Sequence, residues 1–169
     1  ICDKAGECTL QDYHYAYNGE PSVSRDVKVR ATKHFPLSER IVLDNERCIV
    51  CSRCVRFTRE ISKSDSLGIV NRGDHSLVRA SEDGAFERDP YSDNVIDICP
   101  VGALLSRPFL HQARVWYLEP VRSVCTGCAR GCSVSLWRRK KEWRLRSLGD
   151  DANRAIYRVT PLDNPDING

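Results

Sequence analysis

Cys48, Cys51 and Cys54 stand three residues apart in the stretch RCIVCSRCVRFTRE, residues 47–60. Three thiols at this spacing exceed what a redox dithiol needs and suit a bound metal. C-x2-C-x2-C is a characteristic spacing for Cys ligands of a [4Fe–4S] cube. A short loop wraps three corners of such a cube and aims backbone N–H groups at its sulfides. The fourth corner must come from another part of the chain. In two-cluster ferredoxins the run continues x3-C-P, and that cysteine serves the other cluster. Here that position is Thr58, so one cube is expected and not two. Cys99, followed by Pro100 in DICPVGAL, is the natural fourth ligand, and the proline bends the chain away from the site. Zinc is the plainer alternative, but structural zinc usually takes paired C-x2-C units. For Cys99 alone, a buried free thiol is the competing reading.

A second group, Cys125, Cys128 and Cys132, forms C-x2-C-x3-C, with Gly131 suited to a tight turn. Neither a cysteine nor a histidine follows Cys132, so both the cube and the zinc reading lack a ligand here. Cys2 and Cys8 alone are a weak signal. An all-thiolate cube is negatively charged, and burying it needs compensating dipoles or cations. Arg47, Arg53, Arg56 and Arg130 lie within a few residues of these cysteines. They either face the clusters or point to solvent. The four histidines, His14, His34, His75 and His111, are scattered and read as surface or packing residues.

These thiols need elements to hold them. TLQDYHYAY reads as a short helix stopped by Asn18 and Gly19. Residues 55–61 form a short helix after the triplet. Residues 67–70 and 76–80 read as strands around the turn Asn71-Arg72-Gly73-Asp74. SVSLWRRKKEWRLRSL alternates on both sides of RRKK and reads as a β-hairpin. The closing TPLDNPDING is loop-like. No internal repeat or low-complexity tract is present. The three expected segments are 1–19, 20–118 and 119–169.

The chain has 169 residues, 41% of them hydrophobic and 29% charged, which is ordinary for a globular protein. A net charge of +3 is too small to argue for nucleic acid. Basic residues around Trp137 and Trp143 would suit a zinc-held nucleic-acid module, but a hairpin with a charged, exposed turn explains them more simply. No apolar run is long enough for a membrane-spanning helix. No Gly-rich dinucleotide fingerprint follows a strand. Nine cysteines, an odd number in tight triplets, argue for metal-bound thiolates in a reducing compartment and against disulfides. The chain opens on Ile1 and has no Met, which reads as an internal piece of a longer polypeptide.

ICDKAGECTLQDY, NERCIVCSRCVRFTREI, RGDHSLVRASEDGAFERDPYSDNVIDICPVGAL and VRSVCTGCARGC resemble, in this order, the G-type large iron–sulfur subunit of NADH:quinone oxidoreductase, respiratory complex I, of the bacterial type. The resemblance covers nearly the whole chain. It implies an α+β protein: a ferredoxin-like iron–sulfur segment followed by the N-terminal cluster-binding β-hairpin region of a molybdopterin-oxidoreductase-like domain. Cys48, Cys51, Cys54 and Cys99 match a complete all-cysteine [4Fe–4S] site. Cys2 and Cys8 match the last two cysteines of the family's H-x3-C-x2-C-x5-C site, whose histidine and first cysteine would precede Ile1. Cys125, Cys128 and Cys132 match the first three ligands of a further [4Fe–4S] cluster, its fourth expected shortly after NPDING.

The resemblance also implies a role. Such clusters relay single electrons from FMN, reduced by NADH on a neighbouring subunit, towards quinone. The third cluster lies off the main path, and no residue here is catalytic. The implied partners are other peripheral-arm subunits, including the FMN/NADH-binding subunit and the quinone-proximal cluster subunits. The implied location is the cytoplasmic face of the bacterial inner membrane, peripheral and without membrane insertion. The nearest rival is the iron–sulfur part of an NAD-linked formate dehydrogenase or hydrogenase. Both usually carry a two-cluster ferredoxin domain, against which Thr58 speaks.

Overall fold

The computed structural model describes residues 2–82, 84–145, 147 and 149–168. In chain order its elements are α1 (Thr9–Tyr17), β1 (Phe35–Pro36), β2 (Ile41–Leu43), α2 (Arg53–Glu60), β3 (Leu67–Val70), β4 (Leu77–Ala80), α3 (Asn94–Ile98), β5 (Leu104–Ser106), β6 (Leu118–Val124), β7 (Ser133–Arg139), α4 (Gly149–Arg154) and β8 (Ile156–Pro161). Single-turn 3₁₀ segments join several of them. The class is α+β, as expected. The chain divides into two compact units, Ile1–Leu110 and His111–Gly169.

Apolar runs too short for helices make the strands of the first unit. β2 is an all-apolar Ile-Val-Leu run, buried along its whole length. It pairs antiparallel with β1 on one side and β5 on the other, with Leu43 opposite Leu104. β3 and β4 form the expected hairpin, with Leu67 opposite Ala80 and Val70 opposite Leu77. Its turn uses Asn71 and Gly73 at positive φ, +62° and +61°, which suits residues that tolerate the left-handed region. The core gathers Ile41, Leu43, Leu67, Val78, Phe86 and Val95, together with Cys54 and Cys99. At one end of this apolar cluster the Arg79 guanidinium lies over the Phe35 ring, 4.2 Å from its centroid.

The two expected helices are present. α1 ends at Asn18, whose N–H bonds the His14 carbonyl. α2 begins at Arg53 and buries Cys54 and Thr58. α3 is a short helix that stops at Cys99, because a residue before proline is pushed out of helical conformation.

The second unit is a three-stranded antiparallel sheet in the order β6-β7-β8. Here the expected hairpin within residues 133–148 is corrected. β7 does form from its first half, but it pairs with β6 before it and β8 after it. Lys141–Trp143 form a 3₁₀ turn, and among the described residues of 142–148 none lies in a strand, residues 146 and 148 being outside the described residues. Arg139 is buried, with its guanidinium donating to Tyr157 Oη at 3.0 and 3.3 Å, so RRKK is not the exposed turn the sequence suggested. β6 contains Pro120 and lies at the sheet edge, where a missing N–H is tolerated.

Candidate metal centre

The first unit brings the triplet and Cys99 together. Cys48, Cys51, Cys54 and Cys99 line one cavity, walled by apolar side chains including Leu43, Val78, Val101 and Leu104. The elements explain this convergence. β2 is followed by Asp44, whose N–H bonds the Ala103 carbonyl at 2.8 Å and ties the entry to the cysteine loop against the strand after Cys99. The Asp44 carboxylate accepts the Glu46 N–H at 3.0 Å and faces Arg47 Nε at 3.3 Å. The loop then turns back on itself. Val50 and Ser52 both take left-handed conformations, with φ +52° and +61°. For a β-branched residue this is a costly conformation, and it points the Val50 N–H at Cys48 Sγ, 3.4 Å away. Helix α2 then carries Cys54 on its buried face.

Cys99 reaches the same cavity from the C-terminal end of α3, with its thiol donating to the Val101 carbonyl at 3.1 Å. Cys54 and Cys99 are buried, Cys48 is half-buried and Cys51 is exposed. Burial pushes the Cys54 thiol up to about 11, against the pull of the Val55 N–H, and its three cysteine neighbours add to the rise. Burial likewise raises Cys48, opposed by the Val50 N–H. Thiols in such surroundings stay protonated at neutral pH unless a metal takes them as thiolates. Among the described residues no three Cys, His, Asp or Glu side chains converge tightly enough for one metal ion. The four thiols line a shared cavity instead.

The other candidates fall in two places. Cys2 and Cys8 lie in the first unit against residues 100–102: the Cys8 thiol is 3.9 Å from the Pro100 carbonyl oxygen, and Cys2 packs on Gly102. Cys125, Cys128 and Cys132 occupy the loop between β6 and β7. The Cys125 N–H bonds the Cys132 carbonyl at 2.8 Å and closes that loop, while Gly131 turns it at φ +66°. Asn164 and Asn168 brace its end: the Ser133 N–H bonds Asn168 Oδ1 at 2.9 Å, and Asn164 Nδ2 bonds Ser133 Oγ at 2.9 Å. Of the arginines considered, Arg47 pairs with Asp44, and Arg130 donates to the Ile167 carbonyl. Arg53 lines the four-cysteine cavity, and Arg56 lines the adjoining cleft with Cys99. His14 is exposed beside Asn18.

Sequence reasoning missed the carboxylate that steadies the site. Asp89 is buried, and the hydroxyls of Ser62, Ser64 and Ser66 lie 2.8, 2.6 and 3.4 Å from its Oδ2. Its Oδ1 accepts the Tyr91 N–H at 2.8 Å. The chain after α2 is thereby tied to the chain before α3, fixing Cys54 relative to Cys99. The serines' every-second-residue spacing was visible, but it reads as loop composition until its partner is known.

Residues 38–105 match the family model described as NADH-quinone oxidoreductase subunit 3, ferredoxin-like domain. A G-type NADH-quinone oxidoreductase subunit of Rhizobium meliloti, the second of its kind there, is 40% identical over 149 residues, 87% of this chain and 17% of that protein. NADH-quinone oxidoreductase subunit 3 of Thermus thermophilus is 36% identical over 181 aligned positions, 99% of this chain and 21% of that protein. The chain thus spans about a fifth of the length of these curated relatives. Among solved structures, an NAD+-reducing [NiFe]-hydrogenase in the H2-reduced state superposes with a TM-score of 0.56 and 28% identity, over 68% of this chain and 49% of that one. The chain belongs to the family of G-type, or subunit 3, iron–sulfur subunits of NADH-quinone oxidoreductase.

Proposed function

We propose that Cys48, Cys51, Cys54 and Cys99 hold one [4Fe–4S] cluster, and that the chain is an electron-relay segment of an NADH:quinone oxidoreductase. The convergence of the four thiols on one apolar cavity carries this reading. When bound, such a cluster accepts and releases one electron with little change in geometry. The residues of the chain supply the setting. Leu43, Val78, Val101 and Leu104 exclude water from the buried side of the cavity. The N–H of Val50 faces Cys48 Sγ and offsets part of the negative charge that ligation places there. Exposed Cys51 puts one ligand at the surface, the side on which an electron can arrive or leave.

Cys2 and Cys8 supply two ligands of a second [4Fe–4S] site, completed by a histidine and a cysteine of the same subunit. Cys125, Cys128 and Cys132 supply three ligands of another, held on a loop braced by Asn164 and Asn168. On this reading 1–19, 20–118 and 119–169 belong to three cluster regions. The electrons come from NADH through FMN on a neighbouring subunit and go to quinone through further cluster subunits. The assembly sits on the cytoplasmic face of the bacterial inner membrane. Among the described residues, no helix is long and apolar enough to cross it. The likeness to an NAD+-reducing hydrogenase supports a second reading, the iron–sulfur part of such an enzyme. The higher identity to NADH-quinone oxidoreductase relatives favours the first.

Cys99→Ala in the full-length subunit, within its assembled complex, tests the assignment by EPR and iron quantitation. We expect loss of one cluster signal and of about four irons per complex, with the other clusters intact. Unchanged iron and spectrum would overturn it.

A further inference from the structure

Residues 99–102 serve two sites at once. Cys99 opens into the four-cysteine cavity. One residue on, the Pro100 carbonyl meets the Cys8 thiol at 3.9 Å. Two further on, Gly102 is buried under the segment that carries Cys2. A Cβ placed on Gly102 would fall on Cys2 Sγ, and would stand 3.1 Å from both Cys2 Cβ and Lys4 Cβ. The two Cβ atoms sit at the stiff base of their side chains and would have to give by a few tenths of an ångström, while Cys2 Sγ would have to swing away from its place. Gly102 does not occupy the left-handed region. The glycine is needed there for space and not for backbone freedom. Gly84 offers a contrast: its added Cβ would meet only the flexible end of Arg88, at 3.1 Å.

We propose that Gly102 is a positioning residue that lets the Cys2/Cys8 loop seat directly on the Cys99 loop, and so sets the spacing of two neighbouring iron–sulfur sites. The inference rests on the cluster assignments proposed above. Its effect is one-sided. Beyond its own chain neighbours, the three atoms nearest the added methyl all belong to Cys2 and Lys4. A larger residue therefore displaces the Cys2 ligand and lifts the loop off Pro100, while Cys99 keeps its place at the end of α3.

Gly102→Ala in the assembled complex is the test, read by EPR of the individual clusters together with iron content. We expect the signal of the Cys2/Cys8 cluster to fall by more than half or to shift in potential. The signal of the Cys48, Cys51, Cys54 and Cys99 cluster should keep its intensity. Both signals unchanged would overturn the spacing role. Both lost together would also overturn it, since Gly102 would then merely support the fold. Cys8→Ala, measured in parallel, separates this from failure of the assignment itself. If Cys8→Ala costs no iron and no signal, the two-site reading falls. If it does cost them and Gly102→Ala has no effect, only the spacing role falls.

Discussion

A single carboxylate shows how closely the cysteine site depends on residues that do no chemistry. Burial works to raise the Asp89 carboxyl, but hydrogen bonds from Ser64, the Tyr91 N–H, Ser62 and Ser66 outweigh it and hold it below the usual carboxylate range. Its folded pKa is therefore lower than its unfolded one. The stability it contributes is present above a pH of about 4 and is lost as the pH falls through the lowered folded value. Asp89→Ala removes an ionised acceptor and leaves three hydroxyls to find new partners. The loss is expected to be about 2–3 kcal/mol at pH 7, shrinking as the pH falls below about 4 through the lowered folded value. Denaturation midpoints of both chains across this pH range check it. A pH-independent difference would show that packing, and not the charge, is what Asp89 supplies. The network was illegible in advance because the alternating serines at 62, 64 and 66 do not reveal that their partner lies at Asp89. That the triplet and Cys99 share one cavity was legible, because a C-x2-C-x2-C run and a distant Cys-Pro are the pattern of thiols that gather at one place.

At the scale of elements, legibility followed locality. β3, β4 and the turn between them were readable because two adjacent apolar runs and an Asn/Gly turn specify a hairpin without help from the rest of the chain. β7 was readable as a strand, but not its partners. Alternation announces a strand and says nothing about what lies beside it. The sequence favoured the nearest candidate, while burial of Arg139 against Tyr157 shows that the chain goes on to β8. Burial also ranks the elements. Phe86, in the connection between β4 and α3, is fully buried, whereas α1 buries none of its residues and leaves Tyr15 79% exposed. Phe86→Ala is expected to cost about 3–5 kcal/mol, and Tyr15→Ala within about 0.5 kcal/mol. Thermal unfolding of the two variants side by side decides it. Equal losses would mean that α1 is held by something other than its own side-chain burial.

Across the whole molecule, the two units bind their sulfur atoms in opposite ways. In the first, Cys54 and Cys99 belong to the apolar core itself, and Cys48 packs against it. On the proposed assignment ligation there is tied to folding, since a group held only by the native state stabilises that state by mass action. In the second, Cys125 and Cys128 are exposed and Cys132 is half-buried, all on a loop beyond the paired strands. The sheet closes through its own ladder, with Leu118 opposite Arg139 and Val124 opposite Ser133. Stripping iron with a chelator under reducing conditions should therefore affect the units unequally. Amide exchange is expected to rise by about tenfold or more through α2, α3 and β5, while β7, bonded on both sides, keeps its protection. Hydrogen-exchange mass spectrometry of loaded and stripped protein reads both units in one experiment. Equal loss in the two units would mean that the sheet also leans on its metal. No loss in the first would mean that the hydrophobic core closes around four free thiols unaided, and the cysteines would then be passengers of the fold and not its fasteners.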